Sequence, residues 1–236
     1  MTDLTERFRQ VRREIESAAQ VAKRDMGDIT LVAVSKTRPA EAVSALAALG
    51  QRHFGENQAQ EGASKIAACD DERLTWHFIG HLQSNKTRLV AEHFDWVHSL
   101  DREKIADRLS AQRPHYAPAL EVCLQVALSD EATKGGVHPE ALAALAEHVA
   151  GLPRLRLRGL MCLPPPPATP EDSRPYFRRL RELAARLRAA GIPIDQLSMG
   201  MSADLAPAIA EGATLVRVGT ALFGARSTDG AEETWT

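Results

Sequence analysis

Lys36 directly follows the apolar segment Leu31-Val32-Ala33-Val34-Ser35. A primary amine at the end of a buried strand can attack a carbonyl carbon if partial desolvation frees it of its proton. Most lysines that follow a strand are solvated charges. The meaning of Lys36 therefore depends on what else the fold brings to it.

A second group of residues would bind phosphate. Ser198-Met199-Gly200-Met201-Ser202 leads into a helical stretch from Ala203, with Ser202 placed to cap it, and Gly219-Thr220 follows the strand-like Thr214–Val218. Small and hydroxyl residues let backbone amides approach a phosphate, and a helix N-terminus turns N–H groups toward it. Read singly, Ser202 only caps a helix and Gly219 only turns the chain. Read together they point to a phosphorylated ligand, because α/β barrels hold phosphate on the loops after their last two strands. Arg217, two residues before Gly219, lies on the same strand face. A buried guanidinium there needs an acceptor, either a ligand atom or a carboxylate. Glu56 and Asn57 after the second strand, and His77, His81, Gln83, Ser84 and Asn85 around the third, are expected at the same rim. His77 and His81 are four apart on a strand and its loop rather than on a helix face, which argues against a metal pair. No Ser/His/Asp order or carboxylate pair stands out.

These residues require a scaffold that brings strand ends together. Leu4, Phe8, Val11, Ile15, Ala18 and Ala22 have the spacing of an amphipathic N-terminal helix. After Gly27, short apolar runs alternate with helical stretches. Strands are expected at Ile29–Val34, His53–Phe54, Trp76–Ile79, Trp96–His98, Ala119–Ala127, Leu155–Cys162, Gln196–Ser198 and Leu215–Val218. Helices are expected at Ala40–Leu49, Ala59–Ala68, Asn85–His93, Arg102–Gln112, Pro139–Ala150, Arg174–Ala190 and Ala203–Ala210. Strands separated by helices imply right-handed crossovers and a parallel sheet. Eight such units predict a single (β/α)8 TIM barrel with an extra N-terminal helix, spanning residues 1–228, with a disordered tail at 229–236. An open doubly wound sheet is the alternative, but no Gly-rich dinucleotide turn follows the first strand. The Pro-rich segment Leu163–Pro170 falls between a strand and a helix and reads as a stiff loop.

Composition narrows the class further. The 236 residues are 44% hydrophobic and 25% charged with a formal net charge of −2, which offers no electrostatic basis for binding nucleic acid or a membrane surface. Cys69, Cys123 and Cys162 are scattered, an odd count without a disulfide framework. The charged N-terminus and the lack of a long apolar run predict a cytoplasmic protein.

The motifs Leu31–Thr37 (LVAVSKT), 53–57 (HFGEN), 76–86 (WHFIGHLQSNK), 157–161 (LRGLM), 198–204 (SMGMSAD) and 216–224 (VRVGTALFG) occur in this order across nearly the whole chain. Together they resemble the pyridoxal phosphate homeostasis protein family. That resemblance implies a barrel like the N-terminal domain of alanine racemase, with pyridoxal 5′-phosphate (PLP) held as a Schiff base on Lys36. It implies Arg217 facing the pyridine nitrogen, Ser202, Gly219 and Thr220 on the phosphate, and Asn57 and Ser198 as neighbours. Gln58 stands where the family often has an aromatic residue, and Met199 where it often has Leu. The implied role is cofactor homeostasis without catalytic turnover, in a monomer that passes PLP to apo-enzymes. A PLP-dependent racemase is the alternative, but it needs a second acid/base group, and neither Tyr116 nor Tyr176 lies in a matching motif. A cofactor-free aldolase would need the same phosphate loops but places its lysine on a later strand.

Overall fold

The computed structural model describes residues 4–129 and 135–224. The tail expected at 229–236 lies outside the described residues.

Eight strands, β1 (Thr30–Val34), β2 (His53–Glu56), β3 (Thr75–Phe78), β4 (Trp96–Leu100), β5 (Leu120–Gln125), β6 (Leu155–Met161), β7 (Gln196–Ser198) and β8 (Leu215–Val218), close into a barrel in chain order. Every neighbouring pair is parallel, and β1 closes on β8 with Val32 opposite Arg217 and Ala33 opposite Val218. The helices are α1 (Leu4–Val21), α2 (Ala40–Ala48), α3 (Ala59–Cys69), α4 (Thr87–His93), α5 (Glu103–Gln112), α6 (Leu142–Ala150), α7 (Arg174–Ala189), α8 (Leu205–Ala210) and α9 (Thr220–Phe223). On α1 the stripe Phe8, Val11, Ile15 and Ala19 is buried, and the helix packs against α8 and α9.

Strand periodicity divides the core in two. Side chains at alternate positions, such as Ala33, Phe54, Trp76, Phe78, Val97, Val216 and Val218, join the large apolar layer between strands and helices. The other face of each strand lines the barrel interior, where Val32, Cys123, Met161 and Leu215 form a much smaller apolar cluster. Trp96 and Leu163 pack against it, and much of the remaining interior is polar. Cys123 and Cys162 are buried free thiols pushed up to about 12 by loss of hydration, so both behave as small apolar side chains.

The structure corrects several expected boundaries. Helix α4 starts at Thr87 rather than Asn85, and α8 starts at Leu205 rather than Ala203. Ser202 is therefore not the cap of α8. That turn is closed by Asp204, whose Oδ1 accepts from the Met201 amide at 2.7 Å. The single helical turn α9 after Gly219 was not anticipated, because four residues are too few to show a helical period.

Candidate functional site

The turn that carries Lys36 is braced from below. The Ser35 amide donates to Gly55 O at 3.0 Å, which ties the end of β1 to β2. Thr37 has φ +64°, a left-handed conformation unusual for a β-branched residue, and its amide donates to Glu61 Oε1 at 2.6 Å. Lys65 from α3 lies beneath, 7% exposed at its side chain, with Nζ donating to Ser35 O at 2.6 Å, Glu56 Oε1 at 2.8 Å and Glu61 Oε1 at 2.6 Å. Ser35 Oγ donates to the same Glu56 oxygen at 2.6 Å. Burial raises the Glu56 carboxyl above its usual range, opposed by the hydrogen bonds from Lys65 and Ser35. Lys36 itself is exposed, so the desolvation expected at its amine is not found.

Inside the barrel, Arg217 is buried, with Nη1 donating to Ser198 Oγ at 2.6 Å and Nη2 to Cys162 O at 3.1 Å. Burial pulls it below the usual arginine value, but a guanidinium remains a cation. Among the described residues no carboxylate forms a salt bridge with it: its hydrogen bonds go to Ser198 and Cys162, while the buried Asp204 carboxylate acts on its charge from farther away. His98 and His77 continue the polar interior from Ser198, with His98 Nδ1 2.7 Å from Ser198 Oγ. Burial first, then the Arg217 charge, pushes His98 down to about 3, and burial holds His77 well below its ordinary value. Both are therefore neutral imidazoles at neutral pH.

Two loops frame the mouth. Gly200 has φ +91° and is so close to α8 that a Cβ would lie 2.5 Å from Ala208 Cβ, and its carbonyl accepts from the Arg217 amide at 3.0 Å. Gly219 packs against the end of β1, where a Cβ would come 3.3 Å from Val34 O. Its carbonyl accepts the first main-chain bonds of α9, from Leu222 and Phe223, which leaves the earlier amides of the turn for another acceptor. Asn57 follows β2 with Oδ1 buried and without a partner. It is held by Gly80, where any Cβ would meet Asn57 O at 2.0 Å. Thr220 and Ser202 are exposed at the rim, Ser202 on the wall of a groove of about 640 Å³ beside α1.

The geometry brings part of the expected set together. Strand pairing puts the Lys36 turn beside Gly219 and Arg217 beside Val32, with Ser198 on Arg217. Glu56 and His77 are not at the rim. Glu56 shares the outward strand face of Phe54 and lies under α3, while His77, between the outward Trp76 and Phe78, points into the barrel. Sequence reasoning missed Lys65 and Glu61, whose signal was a lysine on the same α3 face as Ala59 and Gly62, both buried small residues. It also missed His53 and His98, which strand alternation could have placed inside.

An eight-stranded parallel barrel with a lysine just past β1 and an arginine inside β8 is a barrel of the alanine racemase class, and residues 9–227 match the family model "Alanine racemase, N-terminal domain". More particularly, the chain belongs to the pyridoxal phosphate homeostasis protein family. It is 56% identical over 226 residues to the pyridoxal phosphate homeostasis protein of Pseudomonas aeruginosa, covering 96% of this chain and 97% of that one. The Escherichia coli K12 protein of the same name is 49% identical, covering 96% and 98%. PipY of Synechococcus elongatus, solved with PLP bound, superposes with TM-score 0.81 at 40% identity over 94% of this chain and 100% of its own. Alanine racemase from Corynebacterium glutamicum, at 17% identity and TM-score 0.67, shares the fold over 94% of this chain and 63% of its own.

Proposed function

We propose that this chain binds PLP at the C-terminal mouth of the barrel, linked through an imine to Lys36 Nζ, and holds it for other proteins without turning over a substrate. The observation that carries the reading is the pairing of an exposed lysine just past β1 with a buried guanidinium on the adjacent strand β8 that has no carboxylate salt-bridge partner among the described residues. A phosphorylated pyridine aldehyde fits that arrangement. When bound, PLP supplies an aldehyde carbon for the amine, with loss of one water, and offers a ring nitrogen and a phosphate as acceptors. Arg217 would donate to the ring nitrogen. Gly219, Thr220 and Ser202 would hold the phosphate from the two rim loops, and Ser198 and Asn57 would line the pocket, the orphaned Asn57 Oδ1 finding a donor there. The relatives named for PLP homeostasis and the PLP-bound PipY structure support the ligand.

Two features support a carrier over a racemase. An arginine at the ring nitrogen discourages its protonation and weakens the ring as an electron sink. A two-base racemisation also needs a second proton donor across from the lysine. Of the two tyrosines, Tyr116 is 91% exposed between α5 and β5, at the opposite end of the barrel, and Tyr176 is on the outer helix α7. The chain is proposed to act as a cytoplasmic monomer that gives PLP to apo-enzymes; among its described residues no helix is long and apolar enough to cross a membrane. Two assays test the reading: PLP transfer to an apo-enzyme, and deuterium uptake at the α-carbon of L-alanine in heavy water. Transfer without α-exchange is expected. Enzyme-like exchange, lost in Lys36→Ala, would replace the carrier with a racemase. Light scattering should give the mass of one chain, and a stable dimer at micromolar concentration would contradict the monomer.

A further inference from the structure

Barrel interiors are usually filled with branched aliphatic side chains. Here a small apolar cluster of Val32, Cys123, Met161 and Leu215, with Trp96 and Leu163 against it, shares the space with three imidazoles, a hydroxyl and a guanidinium that touch in series. His53 Nδ1 is 3.0 Å from His77 Nε2, His77 Nδ1 is 2.9 Å from His98 Nε2, and His98 Nδ1 is 2.7 Å from Ser198 Oγ. Arg217 Nη1 completes the row at 2.6 Å from the same oxygen. The row rises from the first residue of β2, on the N-terminal edge of the barrel, to the last residue of β7 at the mouth. His77 and His98 are fully buried, whereas His53 is only partly buried and within reach of water. Trp96 stacks on His77 with ring centroids 5.4 Å apart at 21°, which fixes the plane of the central ring.

Counting protons restricts this row severely. Arg217 can only donate, so Ser198 Oγ keeps one proton to give and room to accept once more. A neutral imidazole has one N–H and one bare nitrogen, and two ring nitrogens bond only when one of them carries the proton. If the Ser198 hydroxyl donates to His98 Nδ1, then His98, His77 and His53 must all carry their protons on Nε2. If His98 donates to Ser198, all three carry them on Nδ1, and the Ser198 proton is free to point into the pocket. No other assignment of neutral rings keeps every contact a hydrogen bond.

We propose that His53, His77, His98 and Ser198 form one proton-transfer chain through the barrel, exchanging a proton between the pocket beside Arg217 and water at His53 by switching all three rings together. In the inward pass, a hydronium ion at the surface gives a proton to His53 Nε2 and is left as water, and His53 Nδ1–H passes its own to His77 Nε2. His77 Nδ1–H passes to His98 Nε2, His98 Nδ1–H to Ser198 Oγ, and the Ser198 O–H proton goes to an acceptor in the pocket. Each ring gains a proton on Nε2 as it loses the one on Nδ1, Ser198 Oγ gains one and gives one, no electrons move, and no buried ring becomes an imidazolium. The rings end in the opposite tautomer, so a second proton cannot follow until the first returns or the rings reset. The chain is a reservoir of one proton, not a conduit. Its use toward bound PLP rests on the function proposed above; the chain itself does not.

The test is long-range 1H–15N NMR of the PLP-free protein labelled with 15N-histidine, which reports which nitrogen of each ring is protonated. His53, His77 and His98 should show the same tautomer. Ser198→Ala should move the His53 signals three contacts away, and His77→Gln, which interrupts the row, should abolish that response. Mixed tautomers among the three rings of the native protein, or a His53 indifferent to Ser198→Ala in a folded variant, would overturn the proposal. Adding PLP should then switch or shift all three together. A common tautomer that ignores bound PLP would keep the chain and remove only its use toward the cofactor.

Discussion

Lys65 Nζ lies 2.8 Å from Glu56 Oε1 in a pair whose side chains are 7% and 0% exposed, directly beneath the turn that carries Lys36. The lysine also holds Glu61 and the Ser35 carbonyl, so one buried cation ties β1, β2 and α3 together. Removing one partner strands the other charge in a dry place. Lys65→Met should cost about 3–5 kcal/mol of folding stability by urea titration. Lys65→Met with Glu56→Gln should cost clearly less than the two single changes summed. Additive losses would show that the pair does not act as a unit.

The neutral imidazoles predict a loss of stability in mild acid. Burial holds His77, His98 and His53 below their ordinary value of 6.5, so the unfolded chain takes up protons there that the folded chain refuses. Folding free energy should be unaffected by these groups above pH 6.5 and decline below it, by about 1.4 kcal/mol per pH unit for each fully buried ring. Glu56 and Asp95, raised by burial, have the opposite sign and soften the decline near the carboxylate range. Urea midpoints should fall between pH 7 and pH 5. A midpoint that is flat or rises across that interval would contradict the assignment of neutral buried rings.

The rim loops should control retention of the phosphate. Each charge-assisted hydrogen bond lost from Ser202 or Thr220 should cost about 1.5–3 kcal/mol of PLP binding, roughly tenfold or more apiece. Ser202→Ala with Thr220→Ala should thus weaken PLP binding in equilibrium dialysis while the circular dichroism stays native, since both side chains are exposed. Unchanged affinity in the double variant would place the phosphate elsewhere.

Most of the barrel was legible because its signals are local and repeated. Runs such as Leu31–Val34 and Leu215–Val218 lie between amphipathic helices, and eight such alternations leave few topologies. Lys36, Gly219 and Arg217 were found because a strand end is a place that sequence can define. Less legible were features that depend on which side of a strand or helix faces what. Glu56 reads as a rim carboxylate until Phe54 is seen to share its outward face. His77 reads as a loop-edge polar residue until its flanking aromatics are placed against the helices. Lys65 is an ordinary helix lysine in sequence; its burial follows from the close approach of α3 at Gly62, where a Cβ would meet Phe94 at 2.4 Å. Ser202 was misread as a cap because Asp204, two residues later, competes for the same turn.

Everything proposed for the mouth of the barrel depends on Lys36 carrying PLP. The most direct measurement is the visible absorption spectrum of the purified protein with PLP, before and after borohydride, followed by mass spectrometry of its peptides. The native protein should be yellow, lose its visible band on reduction, and carry the reduced pyridoxyl adduct on the peptide containing Lys36. Lys36→Ala should show neither the band nor the adduct while retaining its fold. A reducible band that survives in Lys36→Ala, or an adduct mapped to another lysine of the native protein, would contradict the account.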